Sequence, residues 1–392
     1  MMNAREKFLA SMAFEPGAPI LKWEYGYWGG AVRRWQSEGL VLHCSLPEEI
    51  GYGSAVRAEG MGLKPGGYVD VDIHDRFGFD DGFQRVPLNN YMCPAFEEVI
   101  LEDHDSWVLK LSPYGVKVRA KKDHSSLDSF AEGPVKTRED WEKIKAERLL
   151  PNLERRLPAN WNEQLASYKD RTFPLILGGG QGFYGTPRYL FGDEQLFTVF
   201  YDNPQLILDI NDHLCNLWMT IYDEVLKVTT VDLALVWEDM CYRNGPLISP
   251  AMFDKFLLPF YKRLTGFFRD HGVKIVFVDT DGDFRKLIPN FLAGGVTGFF
   301  PVEAAAGADV VEIRKAYPRL QLLGGIDKRA LPQGEQAIAA ELQKHVLPIL
   351  DQGGFIPTID HLVPPDVSWQ QFVLYRSELN AYIDRYSASA AK

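Results

Sequence analysis

Short apolar segments alternate with helical stretches through the second half of the chain. The apolar segments do not alternate strictly between apolar and polar residues, which is typical of strands covered on both faces. We therefore predict strands at residues 174–178, 232–237, 274–278, 296–300, 320–324 and 354–358. Helices are predicted to begin at Ser249-Pro250 and Asn203-Pro204, where a capping side chain precedes a proline. Repeated strand–helix units indicate right-handed crossovers and a parallel sheet.

The first half is less regular. Residues 19–24 predict the first strand of a barrel, 31–38 a short helix and 69–73 a weaker strand. Three β-rich runs follow, with a turn after the second, at residues 96–101, 106–111, 116–121 and, for the turn, 112–115. They predict an antiparallel meander.

These elements predict an α/β fold, a (β/α)8 TIM barrel that forms a single domain over residues 1–392. The meander is an insertion at about residues 90–125 of the N-terminal half. A connecting segment follows at about residues 126–172, with a charged helix at 141–148 and a surface stretch at 150–171.

Composition narrows the function classes. The chain has 392 residues, with 42 Lys and Arg against 53 Asp and Glu, for a net charge of −11. This acidic balance argues against nucleic acid and against an anionic membrane surface as partners. Four scattered cysteines indicate a reducing compartment, and no signal peptide or membrane-spanning run is visible, so we expect a cytoplasmic protein.

Polar residues follow the predicted strands at the end where TIM barrels place their catalytic groups. They are Glu24, Glu238, Asp239, Asp279, Asp281, Glu303, Asp327, Lys328, Asp360 and His361. Any one of them can be a helix cap or a satisfied loop carboxylate. Caps need neither Glu nor His, so the set as a whole predicts a functional site.

Two loops predict contacts to a flat ligand. Gly180, Gly182 and Gly185 form a G-x-G-x-x-G pattern, but a dinucleotide site needs a helix directly at the motif. We favour a barrel loop in which Gly180 and Phe183 contact substrate. After the first predicted strand, the aromatic residues Trp23, Tyr27 and Trp28 predict a wall for the ligand, with core packing as the alternative for some of them.

Several blocks of residues carry a family resemblance. They are Trp237-Glu238-Asp239-Met240, Asp281-Gly282-Asp283, Pro301-Val302-Glu303-Ala304, Gly324-Gly325-Ile326-Asp327-Lys328, and Asp360-His361 with Pro364-Pro365-Asp366. Together they resemble the uroporphyrinogen decarboxylase superfamily. Within it the chain is more similar to the corrinoid-dependent methyltransferases and O-demethylase components than to the true decarboxylases. The resemblance implies a (β/α)8 barrel.

The chain departs from the superfamily patterns at two places. True decarboxylases carry an Arg-Gln-Ala-Gly-Arg motif after the first strand, whereas residues 23–28 contain no arginine. Zinc-dependent members carry a His-x-Cys pair and a late cysteine, and these positions correspond here to Asp279, Asp281 and the Asp360-His361 pair. The resemblance leaves two options open: a divalent metal such as zinc on Asp279, Asp281 and His361, or chemistry without a metal.

Charge separates the two enzymatic functions that the resemblance implies. A porphyrinogen with eight carboxylates needs a basic pocket, whereas the strand ends are mostly acidic, with Arg243 among the few cations, and a like-charge pair 4 Å apart costs about 4 kcal/mol. We therefore expect transfer of a methyl group between a small substrate, an aryl methyl ether or a methylamine, and cobalamin on a separate corrinoid protein. The alternatives are a decarboxylase acting on a porphyrinogen or another carboxylated ring, and a tetrapyrrole carrier without chemistry.

The expected reaction assigns roles to these residues. His361 is the first candidate for the proton donor and Glu238 the second, with Asp279 and Asp281 facing His361. Substrate contacts are expected from Trp23, Glu24, Tyr27, Trp28, Gly180, Phe183, Asp239, Glu303 and Asp327. The corrinoid protein is expected to dock on the C-terminal face of the barrel.

Overall fold

The structure is a computed structural model, and it describes residues 2–42, 50–56, 71–122 and 129–390. The strands, numbered in chain order, are β1 Tyr27–Trp28, β2 Ala55–Val56, β3 Gln84–Arg85, β4 Val99–Asp103, β5 Trp107–Leu111, β6 Lys117–Lys121, β7 Ser129–Glu132, β8 Leu175–Gly178, β9 Leu233–Trp237, β10 Cys241–Tyr242, β11 Gly245–Pro246, β12 Val276–Asp279, β13 Gly298–Val302, β14 Gln321–Ile326 and β15 Phe355–Ile359.

The helices are α1 Ala4–Met12, α2 Gly29–Ser37, α3 Val71–Phe77, α4 Arg138–Arg148, α5 Leu153–Arg156, α6 Trp161–Tyr168, α7 Gly185–Phe191, α8 Asp193–Asp202, α9 Pro204–Leu226, α10 Pro250–Phe256, α11 Leu258–Asp270, α12 Ile288–Ala293, α13 Val310–Ala316, α14 Glu335–His345 and α15 Trp369–Ala390. Short 3₁₀ turns lie at Arg285–Leu287, Ala304–Ala306 and Lys328–Gln333.

A curled parallel sheet forms the centre of the molecule. Its seven strands follow the order β15-β14-β13-β12-β9-β8-β3, and every neighbouring pair is parallel. Helices separate its successive strands along the chain, as crossovers between parallel strands require. The sheet and its surrounding helices are TIM-barrel-like, which confirms the predicted fold class.

Large apolar side chains fill the inside of the curled sheet. Residues from most of its strands form one buried cluster with the segment at residues 19–25: Leu21, Trp23, Tyr25, Phe83, Ile176, Leu233, Leu235, Ile275, Phe277, Phe300, Leu323 and Ile356. The alternate residues Leu21, Trp23 and Tyr25 point inward as strand residues would. The segment thus takes the place of a first barrel strand.

The segment at residues 19–24 is nevertheless not a hydrogen-bonded strand. Its backbone contacts are isolated: the amide of Asp80 donates to the carbonyl of Lys22, and the next such contact lies beyond the segment, where the amide of Val363 donates to the carbonyl of Gly26. A strand needs a continuous ladder, which these contacts do not supply. The prediction is therefore right about the position of this segment in the barrel and wrong about its hydrogen bonding as a strand.

Local signals fix the starts of two barrel helices as predicted. The hydroxyl of Ser249 accepts the amide of Met252 at the start of α10, and the side chain of Asn203 accepts the amide of Leu206 at the start of α9. Each capping side chain satisfies one amide that the first helical turn leaves free, and the following proline has no amide to satisfy.

The predicted meander is present and has one strand more than expected. The strands β4, β5, β6 and β7 pair antiparallel in chain order, and β7 was not predicted. After β7 the chain returns to the barrel at Gly133, where a Cβ atom would lie 2.1 Å from the carbonyl oxygen of Leu190 in α7. This close approach brings β7 to the mouth of the barrel.

Another prediction for the first half is wrong. Residues 71–73 of the strand predicted at 69–73 belong to α3, and residues 69 and 70 lie outside the described ranges. The stretch at 150–171, predicted as a surface connection, is mostly exposed and contains α5 and α6. It also contains the buried Arg156, whose guanidinium donates to the carbonyls of four residues: Asn89, Tyr91, Arg148 and Leu150. This arginine ties the connection to the barrel.

None of the helices in the described part of the chain is both long enough and apolar enough to cross a membrane.

Candidate active site at the C-terminal face of the barrel

A cavity of about 980 Å³ lies where the parallel strands end at their carboxyl side. Residues that follow β9, β12 and β13 contribute to its wall, and so do Ser129 and Phe130 of β7 in the meander. The lining residues are Trp28, Tyr52, Gly53, Ser129, Phe130, Arg188, Asp193, Asp239, Cys241, Tyr242, Arg243, Asp281, Gly282, Glu303, Ala306 and Pro365. The volume is in the range of pockets for small organic ligands.

Carboxylates crowd the wall around Asp281. Burial, together with the neighbouring carboxylates of Asp239, Asp279 and Glu303, raises the pKa of Asp281 well above its usual range, and the ammonium of Lys328 opposes this shift. About a third of the Asp281 side chain stays accessible from the cavity. The cluster therefore favours a proton on Asp281 and leaves that proton within reach of a ligand.

His361 lies beside this carboxylate. Its Nε2 atom is 3.8 Å from Oδ1 of Asp281, which is outside hydrogen-bond range but close enough for a charge interaction. The imidazole ring stacks against Trp28 with a centroid distance of 6.1 Å, and the edge of Tyr25 meets it at 5.6 Å. The two aromatic rings fix the orientation of the imidazole next to Asp281.

A network of hydrogen bonds and charges supports the cavity wall behind Asp281. Glu303 accepts the amide of Gly282 at 2.8 Å, and the ammonium of Lys328 lies 3.4 Å from Glu303 and 3.5 Å from Asp360. Asp360 is fully buried and accepts the amide of Ala305 at 2.7 Å. Its burial raises the pKa of Asp360 to about 6, with Lys328 acting in the opposite direction. Asp360 thus holds the loops that position Glu303.

The two arginines of the cavity differ in their partners. Arg188 donates to Asp193 and to Asp239, both at 2.8 Å, and its guanidinium lies 5.0 Å from the ring centre of Phe130. Its charge is therefore neutralised within the wall. Arg243 is exposed at the turn between β10 and β11, and within the described ranges it forms no ion pair or hydrogen bond. It is the cation that remains available to a ligand among the described lining residues.

Glu238, the second candidate for the proton donor, has a different environment. It is fully buried, and it accepts the amides of Phe183, Tyr184 and Gly185 as well as the hydroxyl of Tyr261. Burial raises the pKa of Glu238, and these four hydrogen bonds act against the rise. All its contacts are internal, so the geometry gives Glu238 an anchoring role at the start of α7.

The glycine-rich loop wraps around Glu238. A Cβ atom at Gly182 would lie 2.1 Å from the carbonyl oxygen of Trp237 and 2.6 Å from the Glu238 carboxylate. The amides that a dinucleotide phosphate would need are those that bind this carboxylate. Phe183 is buried among core aromatic residues, and Gly180 does not line the cavity. The structure therefore places neither residue against a ligand.

The first loop is divided between core and cavity. Trp23 and Tyr27 are buried in the core, and only Trp28 of the predicted aromatic wall reaches the cavity. Glu24 is fully buried, where it accepts the hydroxyl of Tyr375 at 2.9 Å and lies 3.2 Å from the guanidinium of Arg376. Burial raises the pKa of Glu24, and Arg376 counteracts this. Glu24 thus connects the first segment to the last helix and does not face a ligand.

Asp327 and Asp279 also have structural contacts. Asp327 accepts the amide of Arg329 at 2.9 Å and pairs with its guanidinium, so it caps the turn after β14 outside the cavity lining. Asp279 ends β12, and its backbone carbonyl accepts the amides of Glu238 and Asp239, whereas its carboxylate is one of the charges that act on Asp281. Of the predicted site residues, the structure therefore brings Trp28, Asp239, Asp281 and Glu303 together on one cavity, with His361 beside them.

The sequence analysis counted Arg243 among the few cations near the strand ends but missed five other cavity residues: Tyr52, Phe130, Arg188, Asp193 and Tyr242. Phe130 belongs to the unpredicted strand β7, and nothing in the sequence places the meander near the barrel mouth. The sequence could have indicated Arg188, because it follows the glycine-rich loop that was already singled out.

The predicted metal ligands do not form a metal centre. In the described part of the chain, no group of three or more His, Cys, Asp or Glu side chains has an arrangement that could hold a metal ion. Asp281 and His361 approach each other, but Asp279 does not complete a set with them. Three oxygen and nitrogen donors on one centre are the minimum for a catalytic zinc, so the residues present do not fit that ion.

Comparisons with known proteins place this geometry in a family. No curated protein matches the chain. Among solved structures, a "methyltransferase from Methanosarcina mazei" shares the fold, with 14% identity and a TM-score of 0.57 over 97% of this chain and 100% of the other. A D-tagatose 3-epimerase-like protein matches with 10% identity and a TM-score of 0.33 over 59% of this chain and 85% of the other. The family model described as Uroporphyrinogen decarboxylase (URO-D) matches residues 109–375, and the chain belongs to this family, as predicted.

Proposed function

We propose that the protein transfers a methyl group between a small substrate bound in the cavity and the corrinoid of a separate cobalamin protein. The observation that carries the proposal is the wall of four carboxylates and four aromatic side chains, in which Arg188 is already neutralised by its neighbours. Such a wall suits a neutral or cationic methyl donor, an aryl methyl ether or a methylamine. The fold shared with a methyltransferase supports the same reaction class.

A decarboxylase acting on a polycarboxylated ring is the competing function within this family. Each carboxylate of such a substrate would need a cationic partner, because like charges at contact distance cost several kcal/mol. Arg243 alone of the described lining residues is free to serve as one. The acidic wall therefore favours methyl transfer over decarboxylation.

The corrinoid supplies the cobalt centre that takes or gives the methyl group. Tyr52 and Tyr242 line the cavity with 55% and 56% of their surface exposed, and such aromatic side chains suit contact with a large flat ligand. The partner protein would thus approach the C-terminal face of the barrel, where the cavity lies.

The chain's own residues bind the substrate and handle the proton. When the methyl group leaves an ether or an amine, the electron pair of the broken bond stays on the oxygen or nitrogen atom. That atom then takes the proton held by the Asp281–His361 pair. Trp28 holds the imidazole in place, and Glu303 holds the loop that carries Asp281. This pair replaces Glu238 as the candidate acid.

The test mixes the purified protein with a panel of corrinoid proteins and methyl donors and follows the cobalt absorption spectrum. We expect methylation of the corrinoid with at least one donor of the ether or methylamine classes, and loss of this signal in Asp281→Asn. Asp270→Asn is the matched control, because Asp270 is exposed at the end of α11, outside the cavity. Turnover of uroporphyrinogen without any change at cobalt would overturn the proposal in favour of the decarboxylase.

The docking face has its own test. Chemical crosslinking or footprinting of the complex is expected to protect Tyr52 and Tyr242 and to leave the opposite face, which carries the N-terminal ends of the strands, accessible. Protection of that opposite face would contradict the proposed docking.

A further inference from the structure

The cavity presents two opposite kinds of charge at separate places. Asp193, Asp239, Asp281 and Glu303 form its acidic side, where Asp193 and Asp239 share the single charge of Arg188 and Lys328 lies 3.4 Å from Glu303, whereas Arg243 contributes a cation that no described residue pairs. A purely cationic ligand would leave Arg243 without a partner, and a purely anionic ligand would face the carboxylates. Neither kind of ligand alone matches the whole wall.

The two kinds of charge lie on adjoining segments. Gly282, next to Asp281, packs so tightly on β10 that a Cβ atom there would lie 2.6 Å from the carbonyl of Cys241. The amide of Asp283 donates to the carbonyl of Tyr242 at 3.0 Å. Arg243 follows Tyr242 directly, so its backbone is anchored beside the loop that carries Asp281. A small ligand can therefore contact both the carboxylate cluster and the guanidinium.

Aromatic faces complete the wall near the carboxylates. Trp28, Tyr52, Phe130 and Tyr242 all line the cavity. The faces of aromatic rings attract methylated ammonium groups. Such large cations depend on these contacts because they cannot form strong hydrogen bonds to the carboxylates. Phe130 has the guanidinium of Arg188 5.0 Å from its ring centre and Trp28 stacks against His361, which leaves Tyr52 and Tyr242 for a ligand.

We infer that the methyl donor is a small zwitterion, with an N-methylated ammonium group held by the aromatic and carboxylate wall and a carboxylate held by Arg243. This inference rests on the proposed methyl transfer and narrows its substrate class. A guanidinium binds a carboxylate through two parallel hydrogen bonds, so Arg243 would also fix the orientation of the donor. Arg243 is then the residue that distinguishes a zwitterion from a simple methylamine.

Binding experiments without any corrinoid test the inference directly. Isothermal titration calorimetry would compare trimethylglycine with two probes that each lack one charge: choline, which has no carboxylate, and 3,3-dimethylbutyrate, which has no cation. We expect trimethylglycine to bind at least about tenfold more tightly than either probe. Equal binding of choline and trimethylglycine, or no binding of trimethylglycine, would overturn the inference.

Variants separate the role of Arg243 from a general effect of charge. In Arg243→Gln the affinity for trimethylglycine should fall about tenfold to the level of choline, and the affinity for choline should not fall. Arg269→Gln, a change at an exposed arginine near the end of α11, is the matched control and should alter neither affinity. If Arg243→Gln slows methyl transfer but leaves trimethylglycine binding unchanged, Arg243 serves the partner protein and the inference is wrong.

The inference and the proposed function can fail separately. Methyl transfer from a neutral aryl ether by a protein that does not bind trimethylglycine would support the proposed function and refute the zwitterionic donor. Tight binding of trimethylglycine without methyl transfer to any corrinoid would support the inferred binding site and refute the proposed methyltransferase function.

Discussion

Two acidic residues at the ends of neighbouring strands have opposite environments. Glu238 follows β9 and is enclosed by three amides and a tyrosine hydroxyl, whereas Asp281 follows β12 and lies in the cavity wall among other carboxylates. Burial raises the pKa of both groups, but only Asp281 has a side chain that a ligand can reach. A strand-end carboxylate is thus functional only where its hydrogen-bonding capacity is not already used internally.

The largest expected effect concerns the enclosed member of this comparison. Glu238→Ala leaves three buried amides and the hydroxyl of Tyr261 without their acceptor, so we expect a loss of unfolding free energy on the order of 5 kcal/mol. Glu238→Gln keeps one acceptor oxygen and should lose less. Chemical denaturation followed by circular dichroism measures both, and wild-type stability in the Ala variant would remove the distinction between the two carboxylates.

The imidazole of His361, which lies beside Asp281, tests the catalytic part of this comparison. With an oxygen leaving atom, His361→Gln should lower kcat about 10² to 10⁴-fold because the proton is needed as the bond breaks. With a quaternary ammonium donor the amine leaves neutral, so the loss should be smaller. His104→Gln, at an exposed position in the meander, is the control. Normal turnover of an ether by His361→Gln would make this histidine structural.

Asp360 lies between the two cases, because it is buried like Glu238 and linked to the cavity through Lys328. Its pKa is raised from 3.8 to about 6, so the folded state binds its proton more strongly than the unfolded state. Its contribution to stability is therefore present below about pH 4 and is lost as the pH rises through 6, a change of about 3 kcal/mol. The Asn variant has no such group to titrate.

The expected signature is a difference between wild type and Asp360→Asn that depends on pH. Relative to the variant, wild type should lose about 2 kcal/mol of unfolding free energy between pH 4 and pH 7. Parallel denaturation curves at four or five pH values would measure this, and a constant difference across the range would show that Asp360 keeps its ordinary pKa.

The sequence predicts the barrel better than the site because the two depend on different information. The strands β8 and β9 are apolar over their whole length, and such a run can be recognised from the local sequence alone. The position of Phe130 depends instead on how an inserted sheet folds back over α7, which is a long-range property. Gly133 makes the close approach to α7 that this packing requires, but the sequence does not show which residue a single loop glycine contacts.

The candidate acids illustrate the same limit. Glu238 and Asp281 both follow apolar strands, so the sequence ranks them alike. What separates them is a set of amides that the glycine-rich loop directs at Glu238, across more than fifty residues of chain. The pairing of Asp281 with His361 spans a still longer distance in sequence, and only the closure of the barrel brings them together.

The smallest expected effect is the change in unfolding free energy in Asp281→Asn, and its sign is opposite to the one expected for Glu238→Ala. At pH 7 folding forces Asp281 to take up a proton that the unfolded chain has released, because burial and the carboxylates of Asp239, Asp279 and Glu303 disfavour its charged form. Asp281→Asn removes this cost, so the folded state should gain about 1 kcal/mol at pH 7. Because the pKa of Asp281 is raised on folding, wild type and variant should converge only below about pH 3, where the acid is largely protonated in both the folded and unfolded states. The same variant should lose methyl transfer. A protein that becomes more stable and less active through one atom exchange has a carboxylate kept for function, whereas a loss of stability in Asp281→Asn would mean that Asp281, like Glu238, holds the fold together.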